Sequence, residues 1–462
     1  MPEFPSQPEA STEHAKRRAE VVREFQSLRT EGYSVRLGKP TSNLFRIRPP
    51  AGRRSLDVRK MKHVLSIDRE RKVAEVEGMT PYAELVDATL PLGLMPAVVP
   101  QLKSITVGGA VTGGGIESTS FRHGFVHETV LAMDILTGDG DVLHCTPDNE
   151  HGELFCGFPN SYGTLGYALR LWIRLIPVLP FVRLTHHAYA ESSSFFEETE
   201  DCCRNARQSS EPPDFVDGVV FEENEMYRTE ASFTDHAPYQ SDYKFMRVFY
   251  QSIRRRNEDY LSIRDYIWRW DTDWFWCSRA FGMEWPPLRL LFGSLGLLQS
   301  TTYWKIRQWN ERFRILQRLG KMDSLEWVIQ DVEIPVDRAG EFLRFLFHEV
   351  GIRPVWICPA MSPPDSAGYP LYQTDPSTLY INFGFWGGVS AKSDPMHHNR
   401  RVEEQVEELG GKKSLYSTSC FTPEQFWSHY NQPAYRALKD RYDPEGTFAD
   451  LFEKCVGPYG GA

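Results

Sequence analysis

The sequence predicts an α+β fold with two domains, and three observations support this prediction. Short strands and a helix follow one another in a β-β-α-β order before residue 100, which is typical of α+β domains rather than of a doubly wound parallel sheet. The turn Gly138-Asp139-Gly140 lies between two apolar runs and indicates an antiparallel hairpin. A second set of strands and helices begins near residue 180, and 462 residues are enough for two or three domains.

The spacing of apolar residues predicts the first elements in order. Residues 1–12 are rich in Pro, Ser and Glu, which indicates a disordered tail, and residues 13–32 are predicted to form a charged amphipathic helix. Strands are predicted within residues 56–78, on either side of the polar turn DRER. The segment TPYAELVDATLPLG has helical spacing with Thr80 as the expected N-cap, and LMPAVVP is expected to follow as a strand or a loop.

The rest of the chain alternates in the same irregular way. The segment ALRLWIRLIPV alternates apolar and basic residues, which predicts a half-buried strand. Strands are also predicted for DFVDGVVF, FMRVFY, WVIQDVEIPV, RPVWICPA and LYINFGFW, and helices for SSSFFEETEDCCRNARQ, RNEDYLSIRDYIWRWD and AGEFLRFLFHEVG. We therefore divide the chain into the disordered tail, a first domain over residues 13–180, a second over 181–400, and a C-terminal segment, 401–462, that packs back on the first domain.

The segment GGAVTGGG, residues 108–115, places five glycines in eight positions. It fits neither the GxGxxG spacing of a Rossmann turn nor the GxxxxGK[ST] spacing of a P-loop. Because glycine lowers stability unless its backbone freedom is used, we expect a loop whose N–H groups form a concave anion site that suits a diphosphate. Lys103, Ser104 and Thr106 would supply further donors. A tight turn or a strained loop without a ligand remains an alternative.

Composition excludes some classes of protein. A net charge of −10 argues against nucleic-acid binding. Eight scattered cysteines without a CxxC pair argue against a zinc or dithiol site, so no metal is expected. No signal peptide is recognisable, so reduced thiols and a cytoplasmic location are expected. The aromatic content of 13%, with 12 Trp, is consistent with large cores and with an aromatic-lined cavity for an apolar ligand.

The most apolar run of the chain covers residues 288–298. No stretch of 18 apolar residues exists, so no membrane-spanning segment is expected. The run is interpreted either as a core helix, which we favour, or as a segment that rests on the inner face of a membrane.

Three segments resemble a known family of flavoproteins. They are LPLGLMPAVVPQLKSITVGGAVTGGGIESTSFRHG, LTGDGDVLHCTP and NSYGTLGYALRLWIRLIPV. Together they are similar to the FAD-binding domain of the vanillyl-alcohol-oxidase superfamily, and more narrowly to the delta(24)-sterol reductase (DIMINUTO) family. GKPTSNLFRIR together with WRWDTDWFWCSRAFG resembles the actinobacterial branch. Some members of that branch are associated with reduction of a 10-methylene fatty acyl chain to a 10-methyl chain, in tuberculostearic acid synthesis.

The resemblance implies a PCMH-type (vanillyl-alcohol-oxidase-like) FAD-binding domain and an α+β cap domain that covers the isoalloxazine ring. It implies pyrophosphate loops at Lys39–Asn43 and in the glycine-rich segment, and a corner near the adenine at Gly163–Gly166. Non-covalent FAD is expected because RLGKPTSN and GGAVTGGGIES contain neither His nor Cys, although His123 and His127 are nearby in the sequence. The residues assigned to the cofactor are Lys39, Pro40, Thr41, Ser42, Asn43, Ser104, Thr106, Val107, Gly108, Gly109, Thr112, Gly113, Gly115, Ile116, Glu117, Ser118, Gly163, Thr164, Leu165 and Gly166.

Reduction of an unactivated double bond needs a hydride, which reduced flavin can supply, and a proton from the protein. An exocyclic alkene favours protonation first, so a carboxylate or an aromatic face is expected near the cationic carbon. Glu117 is one candidate for a catalytic role; alternatively it caps a loop or binds the ribityl chain. Tyr380 and Asn382 share one side of a predicted strand and are candidates or ordinary sheet residues. Asp271 and Asp273 lie among tryptophans and are candidates with raised pKa values, or exposed acids at a helix flank.

Four functions remain open from the sequence. The first is an FAD-dependent reductase of a lipid double bond, with NADPH as ultimate donor, docked transiently or acting through a separate reductase. The others are a delta(24)-sterol reductase, an FAD-dependent oxidase that uses O2, and a non-catalytic partner of a lipid methyltransferase. The expected partners are therefore a fatty acyl or sterol lipid and a methyltransferase.

Overall fold

A computed structural model describes residues 8–39, 45–46, 53–209, 212–313 and 325–456 of the chain. The first part is an α+β unit, as predicted. Its elements are α1 (Pro8–Thr30), β1 (Val35–Gly38), β2 (Arg54–Asp57), β3 (Val64–Asp68), β4 (Val73–Glu77), α2 (Tyr82–Thr89), β5 (Leu94–Pro96), α3 (Val107–Gly113), α4 (Ser120–His123), β6 (Val130–Leu136), β7 (Val142–Cys145), α5 (Gly152–Gly157) and β8 (Tyr167–Pro177).

The sheet of this unit has the order β3-β4-β8-β6-β7, with antiparallel neighbours and with β5 paired to the end of β8. β8 is central because its alternate residues from Leu169 to Leu175 are buried in the core. The hairpin of β6 and β7 confirms the predicted turn, in which Gly140 adopts the left-handed conformation (φ +89°). β1 and β2 form a separate parallel pair.

The second part contains a larger sheet, and the C-terminal helices follow it. Its elements are β9 (Phe181–Tyr189), α6 (Ser192–Ser209), β10 (Phe215–Glu222), β11 (Glu225–Thr234), α7 (Phe249–Ile253), β12 (Glu258–Ser262), α8 (Ile263–Ile267), α9 (Pro286–Ser294), α10 (Ser300–Phe313), β13 (Leu325–Pro335), α11 (Ala339–Phe345), β14 (Val355–Ala360), β15 (Tyr380–Ser390), α12 (His397–Glu408), β16 (Lys412–Lys413), α13 (Pro423–His429), α14 (Gln432–Tyr442) and α15 (Leu451–Cys455).

The eight strands of the larger sheet are antiparallel, in the order β12-β9-β11-β10-β14-β15-β13-β16. Helices α6, α11 and α12 cover one face and share an apolar core with Ile381, Phe383 and Phe385 of β15. Side chains alternate along a strand, so Asn382 and Trp386 point to the opposite face. That face shares a core with the first unit, and we call it the inner face of the sheet.

Three local predictions are wrong. α1 begins at Pro8, so residues 8–12 are helical rather than part of a disordered tail; Pro is favoured in a first helical turn. The end of FMRVFY begins helix α7 instead of forming a strand, because a short apolar run does not distinguish a strand from a buried helix. Glu258–Ser262 is a strand within a predicted helix, because it pairs with β9, which the sequence analysis did not identify.

Two further expectations are wrong: the N-cap of α2, and the core helix in the apolar run 288–298. Thr80 does not cap α2; its hydroxyl donates to the carbonyl of His63 at 3.1 Å. The run 288–298 is not a core helix, because Leu290, Leu291 and Leu295 are exposed on and after α9. In the part of the chain that the structure describes, no helix is long and apolar enough to cross a bilayer.

Candidate functional site

The glycine-rich segment is a short helix, α3, rather than the predicted loop. The N–H groups of Val107 and Gly108 donate to the carbonyls of Thr80 and Gly78, both at 2.9 Å, so these two donors are not available to an anion. Glycine is needed at position 108 because a Cβ there would lie 2.7 Å from the carbonyl oxygen of Gly78. Part of the predicted anion cradle is therefore a close contact between two backbones.

The next glycine faces a basic side chain instead. A Cβ on Gly109 would lie 2.8 Å from Thr106 Oγ1 and 3.9 Å from Lys39 Nζ. The hydroxyl of Thr112 donates a hydrogen bond to Gly108 O at 3.0 Å, within α3. Residues 40–43 of the expected first pyrophosphate loop lie outside the described residues.

The positive charges of Lys39, Arg46 and Arg53 act on Lys454, and we call these four basic side chains the basic cluster. Arg46 donates to Leu415 O at 2.8 Å, and Lys454 donates to Gly163 O at 3.4 Å. Burial, together with the positive charges of Arg46, Arg53 and Lys39, lowers the pKa of Lys454 to about 7. A diphosphate at Gly109 would bring negative charge to this cluster.

In this structure, the corner Gly163–Gly166 packs closely against the neighbouring strand β6. Gly163 and Gly166 have positive φ angles, +71° and +149°, and a Cβ on Gly166 would lie 2.7 Å from Leu136 O. Thr164 donates its hydroxyl to Ser161 O at 2.8 Å, and Leu165 is fully buried. The contact of this corner with an adenine remains a prediction.

The remaining residues assigned to the cofactor lie along and after α3. Val107 and Ile116 are buried in the core, whereas Ser104 is half-buried. A Cβ on Gly115 would come within 3.2 Å of three side chains, so this glycine permits tight packing. The carbonyl of Gly113 accepts a hydrogen bond from Tyr162 at 3.3 Å.

Glu117 belongs to a buried ion triad with Arg269 and Asp217. Arg269 Nη2 donates to Glu117 Oε1 and to Asp217 Oδ2, both at 2.7 Å, and Ser118 donates to Glu117 Oε1 at 2.9 Å. Burial and the charge of Asp217 raise the pKa of Glu117, and Arg269 opposes this shift. Among the described residues, Glu117 Oε2 has no hydrogen-bond partner, so one oxygen of the predicted candidate remains available to a ligand.

The inner face of the sheet carries two neighbouring carboxyl groups on β13, Asp331 and Glu333, which we call the acid pair. Tyr416 donates to Asp331 Oδ2 at 2.7 Å and Asn382 Nδ2 donates to Asp331 Oδ1 at 3.0 Å, while Tyr372 donates to Glu333. Burial raises the pKa of Asp331 to about 7 and that of Glu333 to about 8. Glu333 is buried, whereas Asp331 keeps some exposed surface.

The chain after β16 joins the acid pair to the glycine-rich segment. Ser414 donates its N–H to Asp331 O at 3.1 Å and its hydroxyl to Gly113 O at 3.5 Å. Tyr162 bonds both Gly113 O and the N–H of Leu415. The C-terminal end of α3 and the acid pair are thus parts of one site.

Aromatic rings form a wall beside the acid pair. Trp386 donates its indole N–H to Tyr416 at 2.9 Å and lies 4.4 Å, centroid to centroid, from Phe275. Trp356 extends the wall to the triad, because its indole N–H donates to Asp217 at 3.3 Å. The acid pair therefore adjoins a group of packed aromatic rings.

The other catalytic candidates are distributed unevenly. Asn382 lies in the site, whereas the hydroxyl of Tyr380, on the same side of β15, accepts a hydrogen bond from the N–H of Asp375 at 3.2 Å. Asp271 accepts a hydrogen bond from the N–H of Lys103 at 3.0 Å, and Asp273 is paired with Arg289 at 2.5 Å. Both are buried, so the interpretation as exposed acids is wrong, and burial raises both pKa values. These bonds show that both anchor neighbouring segments.

Several site residues were missed by the sequence analysis. A usable signal existed for the acid pair, since two acids interrupt the apolar alternation of WVIQDVEIPV at a spacing of two. No comparable signal existed for the other residues, because each meets its partner only through the fold. The missed residues are Arg46, Arg53, Asp217, Arg269, Asp331, Glu333, Tyr416 and Lys454.

Comparison with known proteins agrees with this geometry. Residues 14–146 match the family model described as FAD binding domain. The α+β fold and this match define the chain as an FAD-binding oxidoreductase with a PCMH-type domain. The basic cluster beside Gly109 fits such a cofactor, since its positive charges suit a doubly negative diphosphate.

Over most of its length, the chain is delta(24)-sterol reductase-like. It is 26% identical over 448 residues to a delta(24)-sterol reductase of Pisum sativum, covering 87% of this chain and 76% of that protein. It is 25% identical over 408 residues to a delta(24)-sterol reductase of Homo sapiens, covering 85% and 75%. A shorter match, 34% over 139 residues, covers 30% of this chain and 26% of cytokinin dehydrogenase 7 of Oryza sativa subsp. japonica.

Proposed function

We propose that the protein is an FAD-dependent reductase of a carbon–carbon double bond in a lipid. The observation that carries this proposal is the acid pair, two protonatable carboxyl groups on an aromatic face that is joined to the glycine-rich segment. The similarity to delta(24)-sterol reductases supports reduction of a double bond. The resemblance of GKPTSNLFRIR and WRWDTDWFWCSRAFG to the actinobacterial branch favours a 10-methylene fatty acyl chain as substrate, with NADPH as ultimate donor.

The reaction adds one hydride and one proton across the double bond. Bound FAD, once reduced, supplies hydride chemistry. Asp331 would give its proton to the terminal methylene carbon, which would become a methyl group, and the reduced cofactor would supply the hydride for the branched carbon. The aromatic wall faces the positive charge that develops there. The carboxylate left on Asp331 accepts hydrogen bonds from Tyr416 and Asn382, which stabilise it until it is protonated again.

We propose that FAD is held without a covalent bond. The basic cluster would bind its diphosphate beside Gly109. His127 is enclosed between Phe125, with ring centroids 5.5 Å apart, and Tyr369, at 4.3 Å, and burial lowers its pKa to about 3. Acid precipitation is expected to release the flavin into the supernatant; a pellet that stays yellow would contradict this assignment.

Gly109→Val is expected to lower the FAD content of the purified protein by at least ~10-fold, since the added side chain would extend towards Lys39 and its Cβ would displace the Thr106 hydroxyl, 2.8 Å away. The measurement is the ratio of flavin to protein absorbance. Gly340→Val is the matched control, because Gly340 also lies in the first turn of a short helix and a Cβ there meets ordinary contacts, the nearest at 3.6 Å. Full FAD content in Gly109→Val would show that the cofactor lies elsewhere.

FAD affinity of the apoprotein is expected to fall as the pH rises above 7, by up to ~10-fold per pH unit for the one proton involved. Without the cofactor, Lys454 has a pKa of about 7. A bound diphosphate would raise this pKa, so binding above pH 7 takes up a proton. The dissociation constant measured from pH 6.5 to 9 tests this. Lys454→Arg keeps the charge but does not titrate, so its affinity should show a flatter pH profile; an unchanged slope would place the diphosphate away from Lys454.

The reaction itself is tested with purified protein, NADPH and lipids. We expect anaerobic conversion of a phospholipid with a 10-methylene acyl chain to the 10-methyl product, detected by mass spectrometry, and no conversion of a delta(24)-sterol. Conversion of the sterol alone would favour the sterol reductase. Hydrogen peroxide formed from an alcohol or alkylphenol would indicate an oxidase. No turnover with any of these, with or without a lipid methyltransferase, would overturn the proposal.

A further inference from the structure

We propose that α9 and the loop after it form a docking surface for an anionic membrane. Their exposed apolar residues, together with two neighbours from the β11–α7 connection, form what we call the apolar patch. The patch consists of Phe245 (36% exposed), Met246 (42%), Trp285 (61%), Leu290 (52%), Leu291 (53%), Leu295 (62%) and Leu297 (36%).

The orientation of α9 is the reverse of that expected for a helix that faces water. Its one charged residue, Arg289, is 1% exposed and is paired with the buried carboxylate of Asp273. Arg289 also donates to Arg247 O at 2.7 Å, which ties α9 to the segment that carries Phe245. The leucines therefore point outward because the helix is anchored by a buried ion pair. Several exposed apolar side chains concentrated on one short helix and its neighbours are typical of an interaction site.

The charge around the patch indicates the kind of surface it meets. The chain has 62 acidic residues and a net charge of −10, yet none of the residues from Trp285 to Ile306 is acidic. Arg247, directly after Met246, and Lys305, on α10, are exposed. Exposed Trp and Leu side chains in a segment that has basic but no acidic residues are typical of segments that insert between anionic lipid head groups. We therefore assign the patch to an anionic phospholipid surface.

Apolar side chains continue from the patch towards the acid pair. Leu298, Phe292 and Trp304 belong to one apolar cluster with Phe45. The ring of Phe45 lies 5.4 Å from Trp304 and 6.0 Å from Tyr416, centroid to centroid. Tyr416 in turn donates to Asp331. The use of this route by a lipid rests on the proposed function, whereas the docking surface stands without it.

The test measures binding of the FAD-loaded protein to vesicles. Co-sedimentation with vesicles of equal parts phosphatidylglycerol and phosphatidylcholine is expected to be at least ~10-fold stronger than with phosphatidylcholine alone, and to weaken at high salt. The double variant Leu290→Glu, Leu295→Glu should lose at least ~10-fold in binding. Leu179→Glu is the matched control, an exposed leucine (44%) in the β8–β9 connection, and should bind as the wild type does.

A second variant separates docking from misfolding. Arg247→Glu combined with Lys305→Glu keeps the apolar patch and should reduce binding to the anionic vesicles only. FAD content and thermal midpoint confirm that each variant is folded. If both folded variants bind vesicles as the wild type does, the proposal is wrong. It is also wrong if the wild type is a dimer and the leucine variant a monomer, because a second copy of the chain would then cover the patch.

Turnover distinguishes a failure of docking from a failure of the proposed function. The leucine variant should retain turnover of detergent-dispersed 10-methylene lipid and lose at least ~10-fold with the same lipid in vesicles. Equal turnover of both forms would contradict the route from the membrane. Absence of turnover with either form in the wild type would contradict the proposed function, while vesicle binding would still decide the docking surface.

Discussion

Asp331→Asn is expected to slow turnover by ~10²–10⁴-fold, the range typical of loss of a general acid, while FAD content stays unchanged. The amide keeps the shape of the side chain but is not an acid, and its single oxygen can accept from only one of the two donors, Tyr416 and Asn382. Rapid-mixing measurements of the two half-reactions test this. Reduction of the bound flavin by NADPH should keep its wild-type rate, whereas reoxidation by the lipid should slow.

The pH dependence provides an independent check on the same residue. A general acid must be protonated, and burial raises the pKa of Asp331 to about 7 and that of Glu333 to about 8. Wild-type activity should therefore fall as the pH rises through 7 to 8, with apparent pKa values that belong to the pair. Asp331→Asn should abolish this fall in activity with rising pH. Glu333→Gln should keep it and cost less activity; the opposite ranking would transfer the role of acid to Glu333.

Arg269→Met is expected to destabilise the protein by about 3–5 kcal/mol, because it leaves Glu117 and Asp217 buried without their shared cation. If the 462 residues unfold together, an unfolding entropy of roughly 2 cal/mol/K per residue makes each kcal/mol worth about 1 °C. The thermal midpoint should then fall by about 3–5 °C. The triad also connects the glycine-rich segment to the inner face of the sheet, so weaker FAD retention should accompany the loss.

Two controls separate lost charge balance from lost packing. Arg264 and its partner Asp87 are both exposed. Arg264→Met should therefore change the free energy of unfolding by at most about 1 kcal/mol. Adding Glu117→Gln and Asp217→Asn to Arg269→Met removes the two unbalanced charges and should restore part of the midpoint. If the triple variant is no more stable than Arg269→Met alone, the arginine acts through packing and not through its charge.

Local patterns were sufficient for much of the fold. The hairpin at Gly138–Gly140 and the alternation in β8 follow from turn chemistry and from a period of two, which depend on neighbouring residues only. The same period correctly placed Tyr380 and Asn382 on one side of β15. It did not show that only Asn382 reaches the site, since this depends on Asp331 in the adjacent strand.

The glycine-rich segment shows where local reasoning fails. Its composition correctly indicated close approach of backbone, but the approaching group at Gly108 is the carbonyl of Gly78 rather than a ligand. A helix was not expected in a segment with five glycines, because glycine is a poor helix former. Pairing with residues 78–80 outweighs that preference.

By itself, the sequence determined the α+β class and the turn chemistry, and it indicated the FAD-binding domain that the family match supports, because these depend on short-range spacing and on motifs. The tertiary structure alone decided the chemistry of the site. Arg269 meets Glu117 across 152 residues, and Tyr416 meets Asp331 across 85. The burial that raises the pKa of Asp331 also exists only in the folded chain. Such contacts are set by the pairing of distant strands, which no local pattern in the chain records.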